Sequence, residues 1–491
     1  MKRAMDSLSD VKGFPDLPLE IIIEIFRRCL PDSPDPWALK TNHAPLLLTH
    51  VCSSWRKVAC ETPELWQSIS LAAEWHGRLN KPQMLSDQFD LWTANARHYP
   101  LDLILKTTDN PIPWDDLIVR IFIGFSERFR NLSLEISSHR LEFFCALPSA
   151  NFPILESLQF HTFPTHANLA SGAREVVAFK NAPKLRRVAL LVSRLRIDLP
   201  WAQLTHLQFD AEKPYAFYHF ISRNCPLLQY LSLSLSDDAG TTVSSLSYTD
   251  VVVMHHLKNL SLTLHYESEH HLSPFTWTDF PALDTLRLCN SDWSAPSILM
   301  KWALPFSNLQ KRVISQLGGL RCLSLGYQKI RYDAMIEILR QTPLLVELEL
   351  DSELEDYTLF FKALTYDPEK APATLPAPRL QDLRLFVETN HLIEPHLCFN
   401  VDFLRDMITS RSSGYLAQLK TELPTVDQPA NLTHVALCIE KPRDDDLSRR
   451  FAEINTQIRR DLSSLQDSKV DFTFDCASDK TNWVKCKFPM W

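Results

Sequence analysis

The chain has 491 residues, a formal net charge of −8, 45% hydrophobic residues and 22% charged residues. These are globular values that allow a large buried core, and the acidic balance argues against a general nucleic-acid binder, which needs a basic stripe. The length suits about three domains or one elongated repeat. The 11 cysteines include no C-x-x-C pair, which fits reduced thiols in the cytosol or nucleus better than a disulfide framework. No run approaches the ~18 apolar residues of a membrane span, and the opening MKRAMDSLSD has no apolar secretory segment. The Asn131-Leu-Ser, Asn259-Leu-Ser and Asn431-Leu-Thr sequons are therefore expected to be chance matches.

Residues 1–13 read as a flexible N-terminus, and organisation starts at Phe14. FPDLPLEIIIEIFRRCL predicts a helix opening at Pro18, where a missing N–H costs nothing because the first helical donors lack partners anyway. Leu17, Ile21, Ile25 and Cys29 form one stripe at helical spacing, and Ile22, Phe26 and Leu30 form a second. One stripe suffices for a surface helix; two imply covering from two sides. A second helix is expected from Leu46 to Cys60, with Leu48, Cys52, Trp55 and Val58 or Ala59 on one face, bounded by Pro45 and Pro63. Two helices this short cannot hide so much apolar surface against each other alone.

The residues Leu-Pro-x-Glu-Ile-Ile-x-x-Ile-Phe, then Leu-x-x-Val-Cys-x-x-Trp-Arg, then Pro-x-Leu-Trp, resemble the F-box, most closely the form common in fungal proteins. The resemblance covers residues 14–70 and keeps the spacing within both helices. It implies docking on a Skp-type adaptor and, through it, a cullin–RING ubiquitin ligase. The adaptor-facing positions it implies are Leu17, Pro18, Glu20, Ile21, Ile22, Ile25, Leu47, Val51, Cys52 and Trp55. The gap PDSPDPWALKTN from Pro31 to Asn42 is longer than in the compact animal form, which loosens the register of the second helix on the adaptor.

Residues 71–128 read as linker helices and first strands: SISL after Trp66 is a short strand, Met84–His98 a helix, and LDLILK a strand by its alternation. From 129 to 440 a repeat takes over. The template L-x-x-L-x-L, allowing Val or Phe, starts at Leu155, Leu185, Leu204, Leu228, Leu257, Leu283, Leu320, Leu345, Leu380 and Leu432, after an expected earlier copy, FRNLSL, at Phe129. Successive starts differ by 19 to 37 residues, with a last interval of 52. Leucine-rich repeats recur every ~20–29 residues, so an irregular member is expected: an α/β solenoid, or horseshoe, with helices between the strands. In six copies a proline stands two places before the first leucine: Pro153, Pro183, Pro226, Pro281, Pro343 and Pro378. A proline cannot continue a helix and biases the chain to extended geometry. Past Leu437 the register is expected to stop. Residues 441–491 then read as a cap with a helical face from Leu447 to Leu465, the strand VDFTFD and the terminal FPMW.

The nine glycines, at 13, 77, 124, 172, 240, 318, 319, 326 and 414, include no pair two, four or five apart. That spacing excludes a dinucleotide fingerprint, a G-x-S-x-G elbow and a P-loop. His391-x-x-Glu394-Pro395-His396-x-Cys398 is rich in ligand types, but Pro395 breaks the helix a one-face metal site needs. The pairs His255-His256 and His270-His271 read as solvated loop residues. No catalytic residue, metal or cofactor is expected.

In a solenoid the residue between the two strand leucines points outward: Gln159, Ala189, Gln208, Ser232, Ser261, Arg287, Ser324, Glu349, Arg384 and Ala436. Glu347, Glu349 and Asp351 put three carboxylates on one side of one strand, with Asp382 and Arg384 on the next. Together with Arg287 these are the candidate client-binding residues, suited to a basic segment. The reading is thus a non-enzymatic, cytoplasmic or nuclear substrate receptor that joins an adaptor to a protein client, with neither nucleic acid nor membrane as partner. A repeat scaffold with a non-degradative role is the alternative.

Overall fold

The computed structural model describes residues 17–31, 43–72, 74–75, 78–79, 82–107, 115–137, 144–145, 152–163, 174–191, 195–211, 220–235, 252–264, 278–290, 317–326, 329–330, 332–351, 353–354, 356–370, 375–387, 401–422, 428–440, 456, 460 and 470–477. The fold is mixed α/β with a large, mostly parallel sheet. The chain divides into two compact units, Met1–Phe209 and Asp210–Trp491. The N-terminal 1–13, the Pro31–Asn42 gap beyond Pro31, the His391–Cys398 cluster, His270-His271, most of the Leu447–Leu465 face and FPMW lie outside the described residues.

Among the described residues the first unit opens with three helices, α1 (Leu19–Arg28), α2 (Leu46–Val51) and α3 (Ser53–Glu61). The expected single helix from Leu46 to Cys60 is therefore two. Cys52 breaks it with extended backbone (φ −156°, ψ 171°), and its Sγ accepts a bond from the Trp55 N–H, capping α3. Six parallel strands follow: β1 (Ser68–Ala72), β2 (Leu101–Lys106), β3 (Phe129–Ser137), β4 (Ser157–Phe163), β5 (Arg187–Leu191) and β6 (His206–Ala211). Each pairs with the next in chain order, so the ladder begins at Ser68, well before residue 129. Helices α4 (Pro82–Ala96) and α5 (Asp115–Phe125) bury Leu85, Phe89, Trp92, Ile118, Ile121 and Phe122. An aromatic run through Phe122, Phe144, Phe160 and Phe179 continues that core, with ring centroids 5.3, 5.6 and 6.3 Å apart.

The second unit repeats the plan with β7 (Tyr230–Leu235), β8 (Asn259–Leu264), β9 (Thr285–Asn290), β10 (Cys322–Gly326), β11 (Glu347–Asp351), β12 (Asp382–Val387), β13 (His434–Glu440) and β14 (Asp471–Ala477), all parallel and in chain order. The register does not stop after Leu437. Asp471–Ala477, the expected cap strand, pairs residue for residue with His434–Glu440. Helices α6 (Tyr332–Gln341), α7 (Tyr357–Leu364), α8 (Val401–Ser410) and α9 (Ser413–Glu422) belong to this unit. Two-residue parallel pairs, such as Lys329–Ile330 with Glu353–Leu354, add a second short ladder between neighbouring copies.

The recurring proline has a sharper role than expected. The residue before it accepts a hydrogen bond from the N–H of the first leucine, as in Phe152–Leu155, Ala182–Leu185, Cys225–Leu228, Phe280–Leu283, Thr342–Leu345 and Ala377–Leu380. Each proline is thus the second residue of a tight turn, the position its fixed φ suits. Two copies without that proline close the same bond, Trp201–Leu204 at 3.1 Å and Met254–Leu257 at 3.3 Å, the second around the exposed His255-His256 pair.

Residues on either side of each strand's central position, such as Leu231 and Leu233 or Leu348 and Leu350, are buried, as alternation along a strand requires, except half-buried Phe209. The intermediate residues form one row per unit: Gln159, Ala189 and Gln208 in the first, and Ser232, Ser261, Arg287, Ser324, Glu349, Arg384 and Ala436 in the second.

Candidate interaction surfaces

In the first unit, α1 is anchored by one side chain. Phe26 is wholly buried and packs on Trp55, with ring centroids 5.0 Å apart. Arg27 reaches Glu64 at 3.7 Å, and the Tyr99 hydroxyl donates to Glu64 Oε1 at 3.1 Å. The carboxylate beside it holds the Tyr99 phenol above its ordinary pKa. Behind α3, the Trp66 indole N–H donates to Ala59 O at 2.8 Å, while the Trp92 indole donates to Ser68 O at 3.0 Å. The two indoles meet edge to face at 5.1 Å. Thus Pro63–Trp66 ties α3 to the first strand through buried rings, each with its N–H satisfied.

The other faces of these helices are bare. Leu17 is 36% exposed, Ile21 48%, Leu47 42%, and Leu19 and Val51 53% each. Pro18, Glu20 and Cys52 are exposed, while Ile22, Ile25 and Trp55 are half-buried. The stripe ending in Phe26 therefore packs inward, and the stripe of Leu17, Ile21 and Cys29 does not. Leu19, which the sequence reading passed over, belongs with the bare set; its place directly after the N-terminal proline was the available signal.

In the second unit the candidate client residues lie on adjoining strands. Glu347 pairs in register with Cys322 and Asp382, and Asp382 with His434. The next row runs Arg287, Ser324, Glu349 and Arg384. Arg384 grips Asp382 with both ends of its fork, Nε to Oδ1 at 3.1 Å and Nη2 to Oδ2 at 2.6 Å. His434 Nδ1 lies 3.1 Å from the same carboxylate. Arg287 Nε donates to Cys289 Sγ at 3.2 Å. Burial pushes the Cys289 thiol pKa up, and Arg287 partly offsets it. The Cys289 sulfur lies over Gly326, where an added Cβ would come within 3.2 Å of it.

This polar face is more enclosed than a solvated strand face. Ser261, Ser324 and Ala436 are buried, and Glu349 is only 8% exposed, whereas Glu347 is exposed. No family model matches the chain. No curated protein matches its sequence either. Among the described residues no group of His, Cys, Asp and Glu could hold a metal ion, and no helix is long and apolar enough to cross a membrane.

Proposed function

We propose that the chain is a substrate-recognition subunit of a Skp–cullin–F-box-type ubiquitin ligase. The bare faces of α1 and α2 dock the adaptor, and an irregular leucine-rich-repeat-like solenoid holds the client. The observation that carries this reading is the exposed set Leu17, Leu19, Ile21, Leu47 and Val51 on helices whose opposite faces are already packed. Large apolar side chains clustered on short helices mark an interaction site rather than a resting surface. All of them but Leu19 coincide with adaptor-facing positions implied by the resemblance to an F-box. The strictly sequential parallel ladder, with its proline turns, supports the repeat reading of the body.

The mechanism is proximity. One end is held by the adaptor and the other holds the client, so the linked sites raise local concentration without chemistry from this chain. The test is co-purification of the full chain with a Skp-type adaptor, alongside the double variant Leu17→Asp/Ile21→Asp. Both side chains are exposed, so the variant is expected to keep the circular dichroism of the parent while adaptor capture falls by more than about 30-fold, the loss of a central apolar anchor. Capture unchanged by the two aspartates would refute the docking face.

A further inference from the structure

Glu349 is the one candidate client residue that is buried. It is 8% exposed, and its Oε2 is buried with no hydrogen-bond partner among the described residues. Leaving a carboxylate oxygen in that state is costly, because the desolvated charge has lost water without gaining a donor. Its register neighbours on the flanking strands are Ser324 and Arg384, and Arg384 is gripped by Asp382. Four carboxylates, Glu347, Glu349, Asp351 and Asp382, share this stretch with two guanidiniums, Arg287 and Arg384.

We propose that this face takes a lysine or arginine side chain from an extended basic segment of the client, with exposed Glu347 at the mouth and Glu349 at the base. This rests on the reading of the repeat body as the client-holding part. The spacing favours a peptide over a metal ion. Glu347, Glu349 and Asp351 occupy alternate positions of β11, so their Cα atoms are about 6.8 Å apart. One ion bound at ~2.0–2.6 Å would have to draw such side chains together, whereas an extended peptide presents alternate side chains at the same ~6.8 Å repeat. An inserted N–H donor also supplies what Glu349 Oε2 lacks, turning a buried orphan into a charge-assisted bond.

The probe is a fluorescein-labelled ten-residue peptide of alternating lysine and serine, titrated into the full chain and followed by anisotropy. Controls are the same peptide with every lysine acetylated and a peptide of equal composition with its lysines in one block. The alternating peptide should bind, acetylation should abolish binding, and the blocked peptide should bind several-fold more weakly. Glu349→Gln should weaken binding about tenfold, with Glu347→Gln, at an exposed position, as the variant that cannot fail through misfolding. The control Glu337→Gln, on the exposed side of α6, should change nothing. Equal affinity of wild type and both site variants, or binding indifferent to acetylation, would overturn the proposal. Adaptor capture is read separately: its loss with peptide binding intact would strike the docking face, and the reverse would strike this site alone.

Discussion

Arg411 sits in the turn between α8 and α9, fully buried, and its removal tests how this fold tolerates a lone internal charge. Its Nη2 donates to Ala377 O at 3.0 Å and to Pro378 O and Leu380 O at 3.3 Å each, while Nε and Nη1 have no partner among the described residues. Burial lowers its pKa from the ordinary guanidinium range to about 10, a penalty of about 3 kcal/mol on the charged form. Arg411→Met keeps the apolar stem and removes that penalty. Two of the three carbonyls keep a donor, Ala377 O from Leu380 N at 3.1 Å and Pro378 O from Ala430 N at 2.8 Å. Leu380 O is then left without a donor among the described residues, which costs about 1–3 kcal/mol, and the charge-assisted bonds are lost as well. The terms nearly cancel, so urea unfolding at pH 8 should place the variant within about 2 kcal/mol of the parent. The pH dependence carries the sign. A base whose pKa is depressed in the fold binds fewer protons folded than unfolded between its two values, so stability rises with pH from about 10 upward. Wild type should gain about 1 kcal/mol on the variant between pH 8 and 10.5. A loss above about 4 kcal/mol in the variant, the size seen when a buried pair is broken, would refute the account of an uncompensated guanidinium.

Two further predictions separate packed from bare side chains. Phe26→Ala should cost about 3–5 kcal/mol by chemical denaturation, since it empties the contact with Trp55. Ile21→Ala, at a half-exposed position of the same helix, should cost about 1 kcal/mol. In brief alkylation of the native chain followed by mass spectrometry, exposed Cys29 and Cys52 should label and buried Cys225 and Cys438 should not. Burial pushes the Cys225 thiol to about 12, so its contribution to stability is present below pH 9 and is lost as pH rises towards 12. Bound adaptor should protect Cys52.

The strand register was legible because each copy carries a leucine alternation and six of the ten add a turn proline. The ten intermediate positions from Gln159 to Ala436 fall into rows without a single slip within each unit. The break at Cys52 was hidden because LLLTHVCSSWRKV keeps a helical apolar spacing across it. The only hints were the serines, which favour helix starts over interiors. Early strands such as Leu101–Lys106 were visible, but without the leucine template their membership of the ladder was not. The burial of Glu349 and Arg411 was out of reach: SRSSG reads as a loop, and a carboxylate on an alternating strand reads as solvated. Both depend on what other segments bring near, which no local pattern encodes.

Because β4 to β9, β11 and β12 are each preceded by a hydrogen-bonded corner of their own, alignment is reset afresh at these copies instead of being carried over from the one before. An insertion upstream of one corner is therefore absorbed where it occurs, and the neighbours keep their phase. Spacing between copies that ranges from 19 to 37 residues then ceases to be a defect. The connecting segments are free to drift in length and content while the array of strands keeps time.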